Sequence, residues 1–425
     1  MQTHKRVLIV GTVPYNEMST SRAFDSYFRF WEKENLAQIF SNAKAPVKGH
    51  CGTLFQITDE RMLKRRFNRK TETGVVFNYG DLADKWDDSS LEVSNGVAKM
   101  YRFGSRKNSF VYLLRKFIWK RKYWRSEKLL SWLDEFSPEC VFLSFSDDFF
   151  IPQIALFVAE RYNIPIVSSI GDDYYFNYKF SLSPFYHIYK LAYRKLIRKV
   201  FAHKGSAIYI GDKIRDKYNA SFGLEGKTVY LTSSIERRPF RTISETNPEI
   251  SYFGNIRLGR NESLKDIGQA LGRIDRNYVL NVYSNENDPK FCKLFDGDPN
   301  IRYREVAKKT VESDIVIVVE GFRKKDVDIT RYSLSTKVAD SLSSGVAVFA
   351  YGSRDCGAIE YAESVGCIVT CVEKNELEKS LRSLIFDPAR QKENYEKSAE
   401  VVAKNHRLEK STEIFESVVN NVCGG

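Results

Sequence analysis

The chain has 425 residues, of which 43% are hydrophobic, so it is long enough for two domains and apolar enough to fill their cores. That composition excludes a wholly disordered protein. Lys and Arg outnumber Asp and Glu by 66 to 54, and the net charge of +12 favours a polyanionic partner: nucleic acid, an anionic membrane face or a phosphorylated substrate.

Short β-branched runs alternate with longer helical stretches, the pattern of βαβ units and parallel sheets. The strands predicted in the first half are Val7–Val10, Cys140–Phe145, Ile164–Ser168, Ala207–Ile210 and Val229–Leu231. Those predicted in the second half are Ile250–Phe253, Val279–Tyr283, Ile315–Val319, Val346–Ala350 and Cys367–Thr370. The polar stretch Glu236–Pro248, which contains two prolines, is predicted to link the two sets.

This organisation predicts an α/β protein with two Rossmann-like domains that face a cleft. The predicted limits are 1–238 for the first domain and 249–405 for the second. A C-terminal helix, 406–425, is expected to cross back to the first domain.

The seven cysteines are scattered and odd in number, which indicates reduced thiols. Cys367 and Cys371 have no second pair or nearby histidine, so no zinc site is predicted. No apolar run reaches the roughly 20 residues of a membrane span, and no secretory signal precedes Val7–Val10. We therefore expect a cytoplasmic protein that meets a membrane only from one side.

A phosphate-binding pattern lies in Arg331–Gly345, RYSLSTKVADSLSSG. Ser335 or Thr336 can cap a helix that runs to about Ser343, and the exposed amides of its first turn attract anions. Lys337 lies beside them, and Asp340, one turn later, can accept hydrogen bonds from two ribose hydroxyls. The alternative is an ordinary capped helix with a solvated lysine and aspartate.

A second pattern opens the second half. Gly254 and Asn255 follow a predicted strand, and Arg260 follows within the same segment, YFGNIRLGRNESL. A guanidinium forks across two phosphate oxygens and balances leaving-group charge. Arg257 is the near alternative, and a solvated loop arginine is the alternative without function.

Together the two segments resemble the donor-binding half of retaining, family-4-type glycosyltransferases of bacterial surface polysaccharide biosynthesis, which have the GT-B fold. The helix segment resembles the family's Ser/Pro-Lys-hydrophobic-x-Glu pattern, and the strand segment its strand-Gly-(Arg/Asn)-Leu pattern. The resemblance implies that a nucleoside-diphosphate sugar is the donor, with no further cofactor.

The resemblance also implies roles for individual residues. Arg260 and Lys337 would act on the diphosphate as catalytic cations, and Asp340 would replace the glutamate that holds the ribose. The remaining donor-binding residues would be Gly254, Asn255, Glu320, Tyr332, Ser335 and Thr336. Tyr332 stands where the family has a glutamate on the donor sugar, Glu320 is the other carboxylate available, and Ala347 replaces the family's proline.

Two aspartates end a predicted strand of the first half, in IPIVSSIGDDYY. The family often has His-Asp here, where this chain has Gly171 and Asp172. Asp172 is predicted to help remove the acceptor's proton and Asp173 to bind the acceptor. The alternative is an Asx turn. Gly11, directly after Val7–Val10, is also predicted to approach the acceptor.

Metal-dependent chemistry is not favoured. Asp296 and Asp298, like Asp326 and Asp328, are spaced as Asp-x-Asp. Such pairs arise by chance in acidic loops, so no metal ligand is predicted.

Two segments are basic and aromatic. Arg106–Arg125 has eight Lys or Arg and no acid, and Pro184–Lys204 has six and no acid. An anionic membrane surface suits such faces, and single-stranded nucleic acid is the other candidate. No nucleic-acid motif accompanies them, and the transferases that this chain resembles commonly extend lipid-linked glycans, so the resemblance implies a membrane partner. The alternative is apolar residues in the core and solvated cations.

The sequence thus predicts a metal-independent retaining transferase on the inner face of the plasma membrane. It would move sugar to a membrane-associated glycan or lipid-linked acceptor in capsule, exopolysaccharide or O-antigen assembly. A sugar-nucleotide epimerase of the same fold and a non-catalytic sugar-nucleotide or nucleic-acid binder are the alternatives.

Overall fold

A computed structural model describes residues 4–15, 22–84, 109–177, 181–304 and 310–424. The chain forms two compact units. The first comprises Met1–Tyr209, Arg215–Thr228 and Thr412–Gly425, and the second comprises Ile210–Ile214 and Val229–Ser411. The domain limits predicted at 238, 249 and 405 stay predictions.

The first unit is built on a sheet that has eight strands within the described residues. The strands are β1 (Val7–Val10), β2 (Leu36–Phe40), β3 (Thr53–Ile57), β4 (Gly74–Asn78), β5 (Cys140–Ser144), β6 (Ile166–Ile170), β7 (Gly205–Tyr209) and β8 (Lys227–Thr228). Their order is β4-β3-β2-β1-β5-β6-β7-β8, parallel except for the antiparallel pair β3–β4. Every residue of β1 is buried, as expected of a central parallel strand covered on both faces.

Helices connect these strands. They are Arg22–Phe28, Asp59–Phe67, Ser109–Ile118, Arg121–Trp124, Glu127–Phe136, Phe150–Tyr162, Pro184–Ala202 and Asp212–Phe222. Thr58 and Ser126 cap two of them through their hydroxyls.

The second unit has a sheet of six described strands in the order β11-β10-β9-β12-β13-β14, all parallel. They are β9 (Ile250–Phe253), β10 (Leu280–Tyr283), β11 (Ile301–Arg304), β12 (Ile315–Val319), β13 (Ala347–Tyr351) and β14 (Val369–Cys371). The helices are Arg260–Ile274, Pro289–Cys292, Lys324–Thr330, Thr336–Ser344, Gly357–Val365, Leu377–Ile385 and Pro388–Asn405. Strand order reverses between β9 and β12, the topological switch point of a doubly wound sheet.

The last helix, Leu408–Gly424, returns to the first unit. The ring of Phe415 lies 4.9 Å from that of Phe28, 5.5 Å from Trp31 and 5.6 Å from Phe142. The predicted fold class, with two Rossmann-like domains and a C-terminal helix on the first, is confirmed.

Two expectations from the sequence concern a strand at residues 229–231 and membrane-spanning helices. Residues Val229–Leu231, predicted as a strand, are not one, because the sheet ends at Thr228. Among the described residues, none of the helices combines the length and apolar character that a bilayer crossing requires.

Candidate functional site

The switch point of the second unit gathers several of the predicted donor residues. Gly254 follows β9, Glu320 follows β12, and the two strands are hydrogen-bonded neighbours. Ligands of doubly wound sheets bind outside the carboxyl ends of the strands at such a point.

Arg260 and Glu320 form a buried ion pair at this site. Arg260 is the first residue of its helix, and its Nη2 lies 2.9 Å from both carboxylate oxygens of Glu320, with Nε 3.2 Å from Oε2. The Glu320 side chain is only 3% exposed. Burial raises the pKa of Glu320, and the positive charges of Arg260 and Lys337 oppose that rise.

Backbone conformation shapes the loop between β9 and this helix. Leu258 and Gly259 have φ of 60° and 76°, so both lie in the left-handed region. A Cβ on Gly259 would come within 2.9 Å of Asp326 Oδ2 and 3.1 Å of Gly321 Cα. The loop therefore packs closely against the segment after β12.

Lys337 reaches the same place from another element. A Cβ on Gly254, whose φ is 141°, would lie 1.6 Å from Lys337 Nζ, so the lysine head occupies the space that a side chain would fill. Burial and then the charge of Arg260 lower the pKa of Lys337 to about 8, while Glu320 and Asp340 oppose the shift. Two cationic side chains thus lie near Glu320, and Lys337 loses its proton at a lower pH than an ordinary lysine does.

The helix that carries Lys337 runs from Thr336 to Ser344 and is capped by Ser335, whose Oγ accepts from the Lys337 amide at 3.4 Å. Thr336 is exposed and Tyr332 is half-buried in the preceding loop. The structure thus settles the predicted cap on Ser335.

Asp340, on the next turn, is held by a residue that sequence analysis missed. Ser233 Oγ donates to Asp340 Oδ1 at 2.6 Å, and the Ile235 amide donates to Ser233 Oγ at 3.2 Å. Ser233 belongs to the irregular segment that follows β8, and no spacing or motif in the sequence marks it.

Buried groups hold that irregular segment in place. His406 Nδ1 lies 2.9 Å from the carbonyl oxygen of Leu231, and its Nε2 lies 2.8 Å from the hydroxyl of Tyr361, which accepts from Asn405 Nδ2 at 3.0 Å. Because burial lowers the pKa of His406, the ring is neutral and donates through Nδ1 while Nε2 accepts. His406 therefore holds the segment that contains Ser233 in place at Leu231, two residues before Ser233.

Solved structures share this architecture. HepE from Anabaena, in complex with UDP, matches with a TM-score of 0.57 at 9% identity, covering 98% of this chain and 100% of that one. WaaG, a glycosyltransferase involved in lipopolysaccharide biosynthesis, matches with 0.52 at 11% identity, covering 99% and 100%. The UDP-forming α,α-trehalose-phosphate synthase from Burkholderia vietnamiensis matches with 0.55 at 10% identity, covering 99% and 100%.

The chain has the GT-B fold. The match extends over nearly the whole length of each protein, although the identities are low enough that the likeness shows the fold alone. No family model matches the sequence, and no curated protein matches it.

In the first unit of this GT-B fold, the two adjacent aspartates after β6 differ in their surroundings. Asp173 is buried, and its Oδ1 accepts from the amides of Tyr175 (3.1 Å) and Phe176 (2.8 Å) and from the hydroxyl of Tyr218 (2.8 Å). Burial raises the pKa of Asp173, and these three donors oppose the rise. Asp172 is exposed. The Asx turn considered from the sequence is therefore present at Asp173, and the acceptor roles of both residues stay predictions.

Gly11, the third residue predicted on the acceptor side, follows β1 and donates its amide to the Ile39 carbonyl at 3.1 Å. A Cβ there would lie 3.3 Å from Ser144 Cβ, at the end of neighbouring β5. Gly11 and the aspartates thus lie at the carboxyl edge of the first sheet, whereas the donor residues lie in the second unit.

The Asp-x-Asp pairs have local structural partners. Asp298 Oδ1 accepts from the Asn300 amide at 3.0 Å, and Asp326 Oδ2 accepts from Arg323 Nε at 2.6 Å. Within the described residues, no group of three or more His, Cys, Asp and Glu side chains is placed to hold a metal ion.

Proposed function

We propose that this chain is a retaining glycosyltransferase that moves a sugar from a nucleoside diphosphate to a membrane-associated acceptor. The observation that carries the proposal is the cluster of Arg260, Lys337 and the first turn of helix Thr336–Ser344 around the switch point of the second sheet. Two cations and the positive end of a helix dipole at one strand edge suit a diphosphate.

The same cluster suits the bond-breaking step. Cleavage of the bond between the anomeric carbon and the diphosphate oxygen leaves an electron pair on that oxygen, and fixed cations stabilise the developing charge. Arg260 and Lys337 are buried enough to act in a low-dielectric site. With the leaving group stabilised in this way, the reaction needs no metal ion.

Asp340 is the proposed ribose ligand. Its Oδ1 is oriented by Ser233, and a carboxylate accepts from several donors at once, so it can also accept from ribose hydroxyls. HepE, which has the same fold, was solved with UDP, and this supports a uridine nucleotide as the first donor to test.

We propose that Asp172, exposed at the end of β6, contacts the acceptor and that the departing phosphate oxygen takes the acceptor's proton on the same face. WaaG, which shares the fold, is involved in lipopolysaccharide biosynthesis. That likeness supports a glycan or lipid-linked acceptor of capsule, exopolysaccharide or O-antigen assembly on the inner face of the plasma membrane.

A thermal-shift screen with UDP-, GDP-, ADP- and CMP-sugars tests donor binding, and the stabilising donor is then assayed for hydrolysis and transfer. Arg260→Ala and Asp340→Ala should each lower turnover by at least about tenfold. Arg257→Ala is the matched control, because that arginine lies in the same loop and is paired with Glu286 at the surface.

Each alternative outcome has its own meaning. Wild-type turnover in the Arg260 and Asp340 variants would overturn the site. Loss in Arg257→Ala alone would move the phosphate ligand to Arg257. Conversion of the donor's sugar into its epimer without acceptor would indicate an epimerase, and binding without any turnover would indicate a non-catalytic protein.

A further inference from the structure

Two neighbouring helices of the first unit expose apolar side chains at helical spacing. On helix Ser109–Ile118, Phe110, Leu114 and Phe117 are 44%, 43% and 57% exposed. They are separated by four and three residues, so they lie on one face. On the same helix Val111 and Leu113, which flank this stripe, are buried.

Helix Pro184–Ala202 repeats the arrangement. Phe185, Ile188 and Leu191, each three residues apart, are 44%, 54% and 63% exposed. Leu182, just before this helix, is 89% exposed. The buried face of this helix includes Tyr189 and Tyr193 instead.

The two stripes form one surface. The helices pack side by side, with the rings of Phe110 and Phe185 5.4 Å apart and those of Tyr112 and Tyr189 5.1 Å apart. Both partners advance along the chain from the first ring pair to the second, which indicates that the helices run in the same direction. We name the seven exposed residues the two-helix apolar face: Phe110, Leu114, Phe117, Leu182, Phe185, Ile188 and Leu191. Contiguous exposed apolar surface of this kind marks an interaction site.

The charges around this face identify its partner. Neither helix contains an acid. Lys120 and Lys122 are exposed just beyond the end of the first helix, with Lys120 Nζ 5.6 Å from the Phe117 ring centre, and Lys195 and Lys199 are exposed later on the second. An apolar surface with cations at one end and no acid on its helices fits an anionic lipid surface.

Other cations of these helices are turned inward. Lys116 Nζ lies 4.4 Å from the Phe149 ring centre, and burial lowers the pKa of Lys116. Lys190 Nζ and Arg194 Nε donate to the carbonyls of Tyr174 and Tyr175. These inward cations are not available to lipid phosphates, so the number of cations on the helices overstates the electrostatic attraction to an anionic membrane. The exposed apolar side chains must therefore contribute to membrane binding.

We propose that the two-helix apolar face inserts into the headgroup region of an anionic membrane, with Lys120, Lys122, Lys195 and Lys199 on lipid phosphates. The inference rests on the proposed membrane-borne acceptor for its purpose. Vesicle binding nevertheless tests it without donor or acceptor.

The test is co-sedimentation with vesicles of phosphatidylglycerol and phosphatidylcholine. The variants Leu114→Ser/Phe117→Ser and Ile188→Ser/Leu191→Ser should each weaken binding by about tenfold or more. Phe67→Ser is the matched control, because Phe67 is 81% exposed and lies outside the face; it should bind as the wild type does. Lys120→Gln/Lys195→Gln should weaken binding to anionic vesicles by about tenfold and leave pure phosphatidylcholine unaffected.

Other results would overturn the proposal. Serine variants that sediment like the wild type would show that the face does not insert. A wild-type dimer in vesicle-free buffer that the serine variants dissociate would show that a second copy covers the face. Thermal unfolding and UDP binding of each variant report on the fold and the donor site. Loss of vesicle binding with donor turnover intact, or the reverse, therefore separates this inference from the proposed function.

Discussion

The lowered pKa of Lys337 predicts how nucleotide binding depends on pH. With a pKa of about 8 in the ligand-free protein, the lysine is about nine-tenths protonated at pH 7 and about one-tenth protonated at pH 9. If only the ammonium form holds the diphosphate, the apparent affinity for UDP falls by about tenfold over this interval. The sign follows from the bound state, because a diphosphate beside Lys337 raises its pKa and stabilises the proton.

Isothermal titration of UDP at several pH values between 7 and 9 measures this effect. Repeating the titration in buffers of different ionisation enthalpy counts the protons taken up, which should be about half a proton per UDP at pH 8 and about nine-tenths at pH 9. Lys337→Arg should remove both effects, because a guanidinium stays charged across this range. Lys325→Arg, an exposed lysine of the same unit, is the control and should titrate as the wild type does. A wild-type affinity that does not change with pH, or an equal fall in Lys337→Arg, would refute the argument.

Three further predictions concern groups around the same reaction. Glu320→Gln leaves Arg260 without its buried anion, so urea denaturation should give a free energy of unfolding lower by about 3 kcal/mol; an unchanged value would mean that the pair is not formed. Ser233→Ala removes the hydrogen bond that orients Asp340, so the donor KM should rise about tenfold with kcat nearly unchanged. Ser233→Thr should restore the KM, and a fall in kcat instead would argue against a positioning role. Asp172→Asn should lower transfer by about tenfold or more without changing UDP affinity, and equal loss of donor hydrolysis would contradict an acceptor role.

The sequence predicts central strands well and polar or edge strands poorly. Val7–Val10 and Ile315–Val319 appear as predicted, because strands covered on both faces are continuous apolar runs. Strands β2 and β3 were missed, because Gln38 and Gln56 interrupt their apolar runs. The structure buries both amides by pairing them: Gln38 Oε1 accepts from the Tyr15 amide at 2.6 Å, and Gln56 Nε2 donates to the Asn42 carbonyl at 2.8 Å.

The edge strands β4 and β11 were also missed. In β11, arginines alternate with Ile301 and Tyr303, so an edge strand has too few apolar residues to stand out from a loop.

In the donor site, likewise, the sequence predicts features that depend on neighbouring residues and misses those that depend on tertiary contacts. The helix cap depends on a few neighbouring residues, so the sequence narrows it to Ser335 or Thr336, and the structure places it at Ser335. The pairing of Arg260 with Glu320 and that of Ser233 with Asp340 join residues 60 and 107 positions apart. No local pattern encodes such pairs, because they depend on how segments far apart in the sequence pack together in the fold.

Two adjacent aspartates follow each of the strands β5 and β6, and the members of a pair can have different roles. Asp147-Asp148 follows β5 and Asp172-Asp173 follows β6. In each pair the second aspartate is bound within the protein: Asp148 is ion-paired with Arg115, and Asp173 accepts from Tyr218. The pattern alone cannot separate an Asx turn from an acceptor contact, because the two kinds of aspartate are adjacent. Because Asp173 is buried and accepts three hydrogen bonds on one oxygen while Asp172 is exposed, Asp172 and not Asp173 is the residue to test for acceptor chemistry at this edge of the sheet.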